Sequence, residues 1–155
     1  MGLRSVEELM DLLHAARGAG NGAGNSPALP GGPGDPHDHA LQTAALLRRG
    51  HPSDKELQVA GLVHEIGPLL APGERAGHAE RAADAVRPLL GERVAGLVRL
   101  HASGRPDGPL TDDALILRQA CEAGRAAALY AGVMEDWRTL LELIVSHNSR
   151  LGAVD

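Results

Sequence analysis

Residues 78–101 have the sequence HAERAADAVRPLLGERVAGLVRLH, and this stretch decides the fold class. Gly91 divides it, so the pattern predicts one helix over 78–90 and another over 92–101. Four residues of the second helix follow the i, i+3, i+4, i+7 spacing of one face: Val94, Leu97, Val98 and His101. That spacing turns His101 inward with its apolar neighbours. Helical spacing continues along the chain and no β-strand pattern competes with it, so we predict an all-α fold.

Capping residues, glycines and prolines mark the other helix boundaries. Ser5 with Glu8 and Ser53 with Glu56 have the spacing of capping boxes, which predicts helices beginning at both serines. The helix from Ser53 is expected to end at Gly67 and Pro68. Further helices are predicted over 38–49, from Thr111 and from about Asp136. Together these segments predict a compact bundle of six to seven helices.

The chain of 155 residues has the length of one domain with a single core. We predict an N-terminal helix over 1–17, a loop over 18–36 and a helical metal-binding domain over 37–155. The loop is rich in Gly and Pro, and it is either an unstructured linker or a lid over a site that opens at His39. The core must be aliphatic, because the sequence has no Phe and only one Trp and one Tyr.

Composition excludes several classes of function. The net charge is −5 and the arginines are scattered among acidic residues, so we expect no binding to nucleic acid. No window reaches the roughly 20 apolar residues that span a bilayer, and the N-terminus has no signal-peptide pattern, so we expect no membrane association. The single cysteine, Cys121, rules out an intramolecular disulfide, and we interpret it as a buried structural thiol of a cytoplasmic protein.

Six residues at predicted helix ends or inward faces supply four imidazoles and two carboxylates: His39, His64, Glu65, His78, His101 and Glu122. Imidazole and carboxylate suit Fe, Mn, Zn or Ni, and a carboxylate can bridge two ions, so the set predicts a dinuclear metal site. Any one of these histidines alone is more simply a hydrogen-bonded core residue. The other histidines are assigned to the surface or to local packing, with His37 as the rival of His39: His14, His37, His51 and His147.

The order of these residues resembles the HD-domain superfamily, with His64-Glu65 as the His-acid pair. Four segments carry the resemblance: DHALQTAALL (38–47), LVHEIGPLL (62–70), the stretch 77–101 and GPLTDDALILRQACEAG (108–124). They are similar in particular to small mixed-valent di-iron oxygenases that cleave hydroxylated phosphonates and are relatives of myo-inositol oxygenase. His78 and His101 are the two extra histidines typical of that oxygenase branch.

The resemblance implies an HD-type bundle that binds two irons, one Fe(II) and one Fe(III), and uses O2 on a small polar hydroxylated substrate. It implies that one iron is held by His39, His64, Glu65 and Glu122. The other would be held by His78 and His101, with Glu65 shared. Substrate contacts are assigned to Arg105, Gln42 and Ser103, while Thr43 and Arg118 are expected to support the ligands from behind.

The sequence departs from the family pattern at several positions. Glu65 and Glu122 stand where the family has Asp, and Pro68 stands where a His commonly follows. Arg105 replaces the Lys that grips the phosphonate, although Arg binds the same anion with two parallel hydrogen bonds. Two other functions therefore stay open: a phosphohydrolase using Mn, Zn or Ni, and a non-catalytic scaffold that has lost its activity.

Overall fold

The computed structural model describes residues 3–15, 36–64, 66–70, 77–103, 111–126 and 134–153. Within these ranges the chain forms seven helices of nine or more residues and one short helix, and the all-α prediction is confirmed. The helices are α1 (Val6–Ala15), α2 (Pro36–Gly50), α3 (Lys55–Val63), α4 (Gly67–Leu70), α5 (His78–Leu90), α6 (Glu92–Ser103), α7 (Thr111–Ala126) and α8 (Arg138–Ala153), the last preceded by a 3-10 turn at Met134–Trp137. The predicted loop over 18–36 lies outside the described residues except for Pro36, which begins α2.

The division between α5 and α6 falls where the sequence predicted it. Gly91 adopts a positive φ of 96°, a conformation that glycine tolerates better than any other residue. Its N–H donates to the carbonyl of Arg87 at 3.0 Å, which closes the last turn of α5. The chain then reverses, and α5 packs against α6.

The predicted Ser5 cap of α1 is confirmed, although Glu8 reaches back to Arg4 instead of Ser5, and the predicted Ser53 cap of α3 is wrong. At α1 the hydroxyl of Ser5 accepts from the N–H of Glu8 at 3.2 Å, and the Glu8 carboxylate accepts in return from the N–H of Arg4. At α3 the cap is Asp54 instead of Ser53, because its carboxylate accepts from the N–H of Leu57 at 3.1 Å. The helix therefore begins one residue later than expected.

The end of α3 also differs from the prediction. The helix stops at Val63 with His64 as its C-cap, and Gly67 and Pro68 begin α4 instead of ending α3. Gly67 permits this because α4 touches the start of α5: a Cβ at Gly67 would lie 2.7 Å from Cβ of His78 and would overlap its carbonyl oxygen. The turn after His64 and the start of α5 are thus held together.

The core is aliphatic, as the composition predicted. Leucines from α1, α2, α3, α5, α6, α7 and α8 are fully buried, together with Trp137. Helix α2 packs against α3 and α7, while α6 packs against α3 and α7 as well as α5. Four helices, α2, α3, α6 and α7, therefore surround a common interior.

Arg93 of α6 fixes the starts of two of these helices. Its guanidinium forms two hydrogen bonds to the carboxylate of Asp54, at 2.7 and 2.8 Å, and further ones to Glu56 at 3.2 Å and Asp113 at 3.0 Å. The hydrogen bonds from Arg93 hold the pKa of Asp54 below its ordinary value, against the opposing effect of burial. Paired carboxylates on α3 and α7 thus orient both helices against α6.

Within the described ranges, no helix combines the length and the apolar character that crossing a lipid bilayer requires.

Candidate metal centre

Three metal-ligating side chains meet in the interior between the helices. His39 comes from α2, His64 from the end of α3 and Cys121 from α7, and their side chains are buried. One ligand atom from each lies within 4.8 Å of the others. Nε2 of His39 lies 3.3 Å from Sγ of Cys121.

His101 of α6 borders the same cluster. Its ring lies edge to face against the ring of His64, with 4.8 Å between the centroids, and the rings of His64 and His39 are 5.4 Å apart. Four helices thus contribute one side chain each. Imidazole and thiolate together are ligands that suit Zn, Fe or Cu, so the donor set fits a transition-metal ion.

The position of His64 at the end of α3 fixes its ring. Nδ1 donates to the carbonyl of Gly61 at 2.5 Å, within the last turn of the helix. A backbone acceptor for Nδ1–H leaves the lone pair on Nε2, the arrangement that metal-bound histidines commonly have. The local fold therefore sets the tautomer and the direction of this imidazole.

A glycine allows α7 to approach α2 beside the cluster. A Cβ at Gly124 would lie 2.8 Å from Oγ1 of Thr43 and 3.5 Å from Cε1 of His39. Thr43 in turn donates its hydroxyl to the carbonyl of His39 at 2.9 Å. The Thr43 side chain thus bonds to the backbone of the turn of α2 that carries His39, and its predicted supporting role toward the imidazole stays a prediction.

The electrostatics of the cluster favour a thiolate. Burial alone raises the pKa of Cys121, but hydrogen bonds with the imidazoles of His101 and His39, and a smaller effect of the nearby His64, lower it to about 4. A thiol whose protonation is governed by surrounding imidazoles differs from an inert core cysteine. We predicted Cys121 as a buried structural thiol. It is buried, but the imidazoles around it were not predicted.

The structure brings together three of the predicted ligands, His39, His64 and His101. His78 begins α5 next to Gly67, and its Nε2 is buried with no hydrogen-bond partner among the described residues; the same holds for Nδ1 of His101. Glu122 is exposed, one residue beyond Cys121. Glu65 lies outside the described residues, so its predicted bridging role stays a prediction.

Some of the predicted substrate-binding and supporting residues are described by the structure, and others are not. Gln42 is buried on α2, three residues after His39. Arg105 and the side chain of Ser103 lie outside the described part of the chain. Arg118 is half-buried, and among the described residues no ion pair joins it to Glu122 as the i, i+4 spacing suggested.

Helix periodicity is the signal that could have found Cys121. The buried residues of α7 are spaced along one face: Ala114, Leu117, Cys121 and Gly124. Glu122 lies roughly 100° around the helix from Cys121. The family pattern has a carboxylate ligand on this helix and therefore favoured Glu122. The apolar face of α7 instead indicates that Cys121 points toward the interior.

The histidines assigned to the surface behave differently from the cluster. His14 is exposed and pairs with Glu135 at 3.2 Å, and His147 is exposed on α8. The carbonyl of His51 accepts from the amide of Gln58 at 2.9 Å. The side chain of His37 lies outside the described residues, so the choice between His37 and His39 rests on the burial of His39.

No family model matches the chain, and a search of the curated proteins found no matching relative. Membership of the HD-domain superfamily therefore stays a prediction from the sequence pattern.

Proposed function

We propose that this protein is an HD-type iron oxygenase that uses O2 to oxidise or cleave a small polar hydroxylated substrate of the phosphonate kind. The supporting observation is the meeting of His39, His64 and His101 from α2, the end of α3 and α6, in which the ring of His64 lies 5.4 Å from that of His39 and 4.8 Å from that of His101. An aliphatic core gains nothing from three imidazoles, because each needs hydrogen-bond partners, whereas a metal ion can bind their nitrogen atoms.

The residues present fit a metal ion. Burying an imidazole nitrogen without a partner costs about 1 to 3 kcal/mol, and both Nε2 of His78 and Nδ1 of His101 are in this position within the described residues. His39 and His64 would hold one ion and His78 and His101 the other, and the resemblance assigns Glu65 to both. Iron bound there would supply the activation of O2.

The chain's own residues prepare the site for such chemistry. The hydrogen bond to Gly61 keeps Nε2 of His64 in its acceptor form, and the packing of α2, α3, α6 and α7 keeps bulk water from the cluster. Gln42, buried on the turn that follows His39, is the polar group we assign to the substrate hydroxyl. A dry, polar-lined site protects reactive species from side reactions.

The donors present suit a transition metal. The described members of the cluster are imidazoles and a thiol, which suit Fe, Zn or Cu, whereas Mg and Mn prefer carboxylate and water ligands. His101 is one of the two histidines that the sequence pattern associates with the oxygenase branch, and it lies against His64. Both observations support a redox metal in an imidazole-rich environment.

The test is metal analysis of protein purified without oxygen, followed by oxygen uptake with hydroxylated phosphonates. We expect about two irons per chain, a mixed-valent electron paramagnetic resonance signal and substrate-dependent O2 consumption. Zn, Mn or Ni with turnover of a phosphodiester would instead establish the phosphohydrolase. No metal after loading with any of these ions would leave a scaffold, and either result would overturn the oxygenase.

A further inference from the structure

We propose that the thiolate of Cys121 is a metal ligand, which joins His39 and His64 around a single ion. The inference rests on the proposed function only in requiring a metal at this cluster. In this proposal Cys121 takes the place of Glu122, the carboxylate on α7 that the sequence pattern predicted as a ligand.

Distances support a shared ion. Metal–sulfur bonds of about 2.3 Å and metal–nitrogen bonds of about 2.0 to 2.1 Å place tetrahedral donor atoms roughly 3.3 to 3.8 Å apart. The three ligand atoms here lie within 4.8 Å of one another, and Sγ is already 3.3 Å from Nε2 of His39. Small side-chain movements suffice to bring all three to one centre.

The placement of the donors supports the same conclusion. The three residues come from α2, α3 and α7, so they approach the centre from different directions instead of along one helix. Gly124, one turn beyond Cys121, lacks the Cβ that would lie 2.8 Å from Oγ1 of Thr43 and hold α7 away from α2. The close approach of the two helices thus brings the sulfur into reach of the imidazole.

Glu122 is the rival ligand on α7. It is exposed, whereas Cys121 lies on the buried face with Leu117 and Gly124. Turning α7 by one residue to bring Glu122 inward would expose Leu117 and bury Arg118. The fold therefore presents a soft sulfur donor, which selects Fe(II), Co(II) or Zn(II) over Mg(II) and Mn(II).

Cobalt loading tests the assignment, because a thiolate bound to Co(II) has an intense charge-transfer band in the near ultraviolet. Cys121 is the only cysteine of the chain, so such a band has one possible source. We expect the band in the wild-type protein and its loss in Cys121→Ser, with Co(II) affinity lowered at least about tenfold. Gln119→Ser, which places the same residue on the exposed face of α7, should keep the band and the affinity.

Alkylation of the wild-type protein covers the case in which Cys121→Ser fails to fold. Under mild denaturant, Co(II) or Zn(II) should slow the reaction of Cys121 with iodoacetamide at least about tenfold, as followed by mass spectrometry. Equal rates with and without metal would contradict ligation.

Failure of this proposal is distinguishable from failure of the proposed function. Stoichiometric Co(II) without the charge-transfer band, or loss of metal in Glu122→Gln but not in Cys121→Ser, overturns the role of Cys121 and leaves a metal site at the histidines. Absence of Co(II), Fe(II) and Zn(II) binding overturns both.

Discussion

Gly124 of α7 lies directly against Thr43 of α2, so closely that a Cβ at position 124 would stand 2.8 Å from the threonine Oγ1. The contact sits between the two helices that carry Cys121 and His39. The absence of a Cβ at position 124 therefore permits the close approach of the two helices that carry these side chains.

Gly124→Ala should separate α7 from α2. Alanine gains up to about 1 kcal/mol of helix propensity, but overpacking at a buried contact costs about 1 to 3 kcal/mol. Because the backbone N of Thr43 lies 3.3 Å from the added Cβ and cannot rotate away, we expect the free energy of unfolding to fall by about 1 kcal/mol. Urea denaturation measures it, with Gly50→Ala as the control, since nothing lies within 4 Å of a Cβ there. A Gly124→Ala variant as stable as Gly50→Ala would contradict the close approach.

Gly67→Ala should disturb the start of α5. The added Cβ would meet the carbonyl carbon of His78 at 2.8 Å, a backbone atom that moves only with its helix. We expect a loss of about 2 kcal/mol in the free energy of unfolding. Thermal unfolding by circular dichroism measures the change, and an unaltered melting temperature would show that α4 and α5 are not in contact.

His64→Ala should abolish metal binding while leaving most of the helix content. His64 holds the middle place in the ring cluster, between His39 and His101. His147→Ala is the matched control, because that imidazole is exposed on α8. Metal content by inductively coupled plasma mass spectrometry, beside far-ultraviolet circular dichroism, compares the two. Equal metal loss in both variants would refute the ligand assignment.

Arg93→Gln should destabilise the protein at neutral pH and less so in acid. The variant loses charged hydrogen bonds to Asp54, Glu56 and Asp113, which we expect to cost about 1 to 2 kcal/mol after allowance for solvent screening. Because Arg93 lowers the folded-state pKa of Asp54 below 3.8, this contribution is complete above that value and is lost as the pH falls through the folded pKa.

Urea unfolding at pH 7 and at pH 3 measures the difference between Arg93→Gln and the wild type. We expect a smaller difference at pH 3. Arg87→Gln is the control, since its partners Asp84 and Glu92 are both exposed, and it should change stability little at either pH. A difference for Arg93→Gln that is the same at both pH values would contradict the pairing with Asp54.

Local sequence signals predicted a helix boundary well where a single residue determines it. Gly91 separated α5 from α6 because only a residue tolerant of positive φ fits there. At α3 two capping residues are adjacent, and local pattern alone could not choose between Ser53 and Asp54. Arg93, far along the chain, favours Asp54 by binding its carboxylate, and such a tertiary contact is invisible to a capping rule.

The helix face predicted the inward orientation of His101, whereas its role as a metal ligand stays a prediction. His101 shares a face with Val94, Leu97 and Val98, and it lies against His64. On α7, residue chemistry and helix face disagree. We predicted Glu122 because metals of this kind bind carboxylates, but the buried face of the helix carries Cys121. One residue along a helix changes the direction of a side chain by roughly 100°, so residue type alone does not show which of two neighbours faces the interior.

Trp137 gives the protein an internal optical reporter. It is the only tryptophan in the sequence, it is 1% exposed, and the guanidinium of Arg48 lies 4.7 Å from its ring centroid. Its 3-10 turn packs against α1 and α8, and Arg48 belongs to α2, the helix that also carries His39. Fluorescence of this single indole therefore reports the docking of both terminal helices and of one end of α2, while cobalt absorption reports the ligand cluster at the other end of α2.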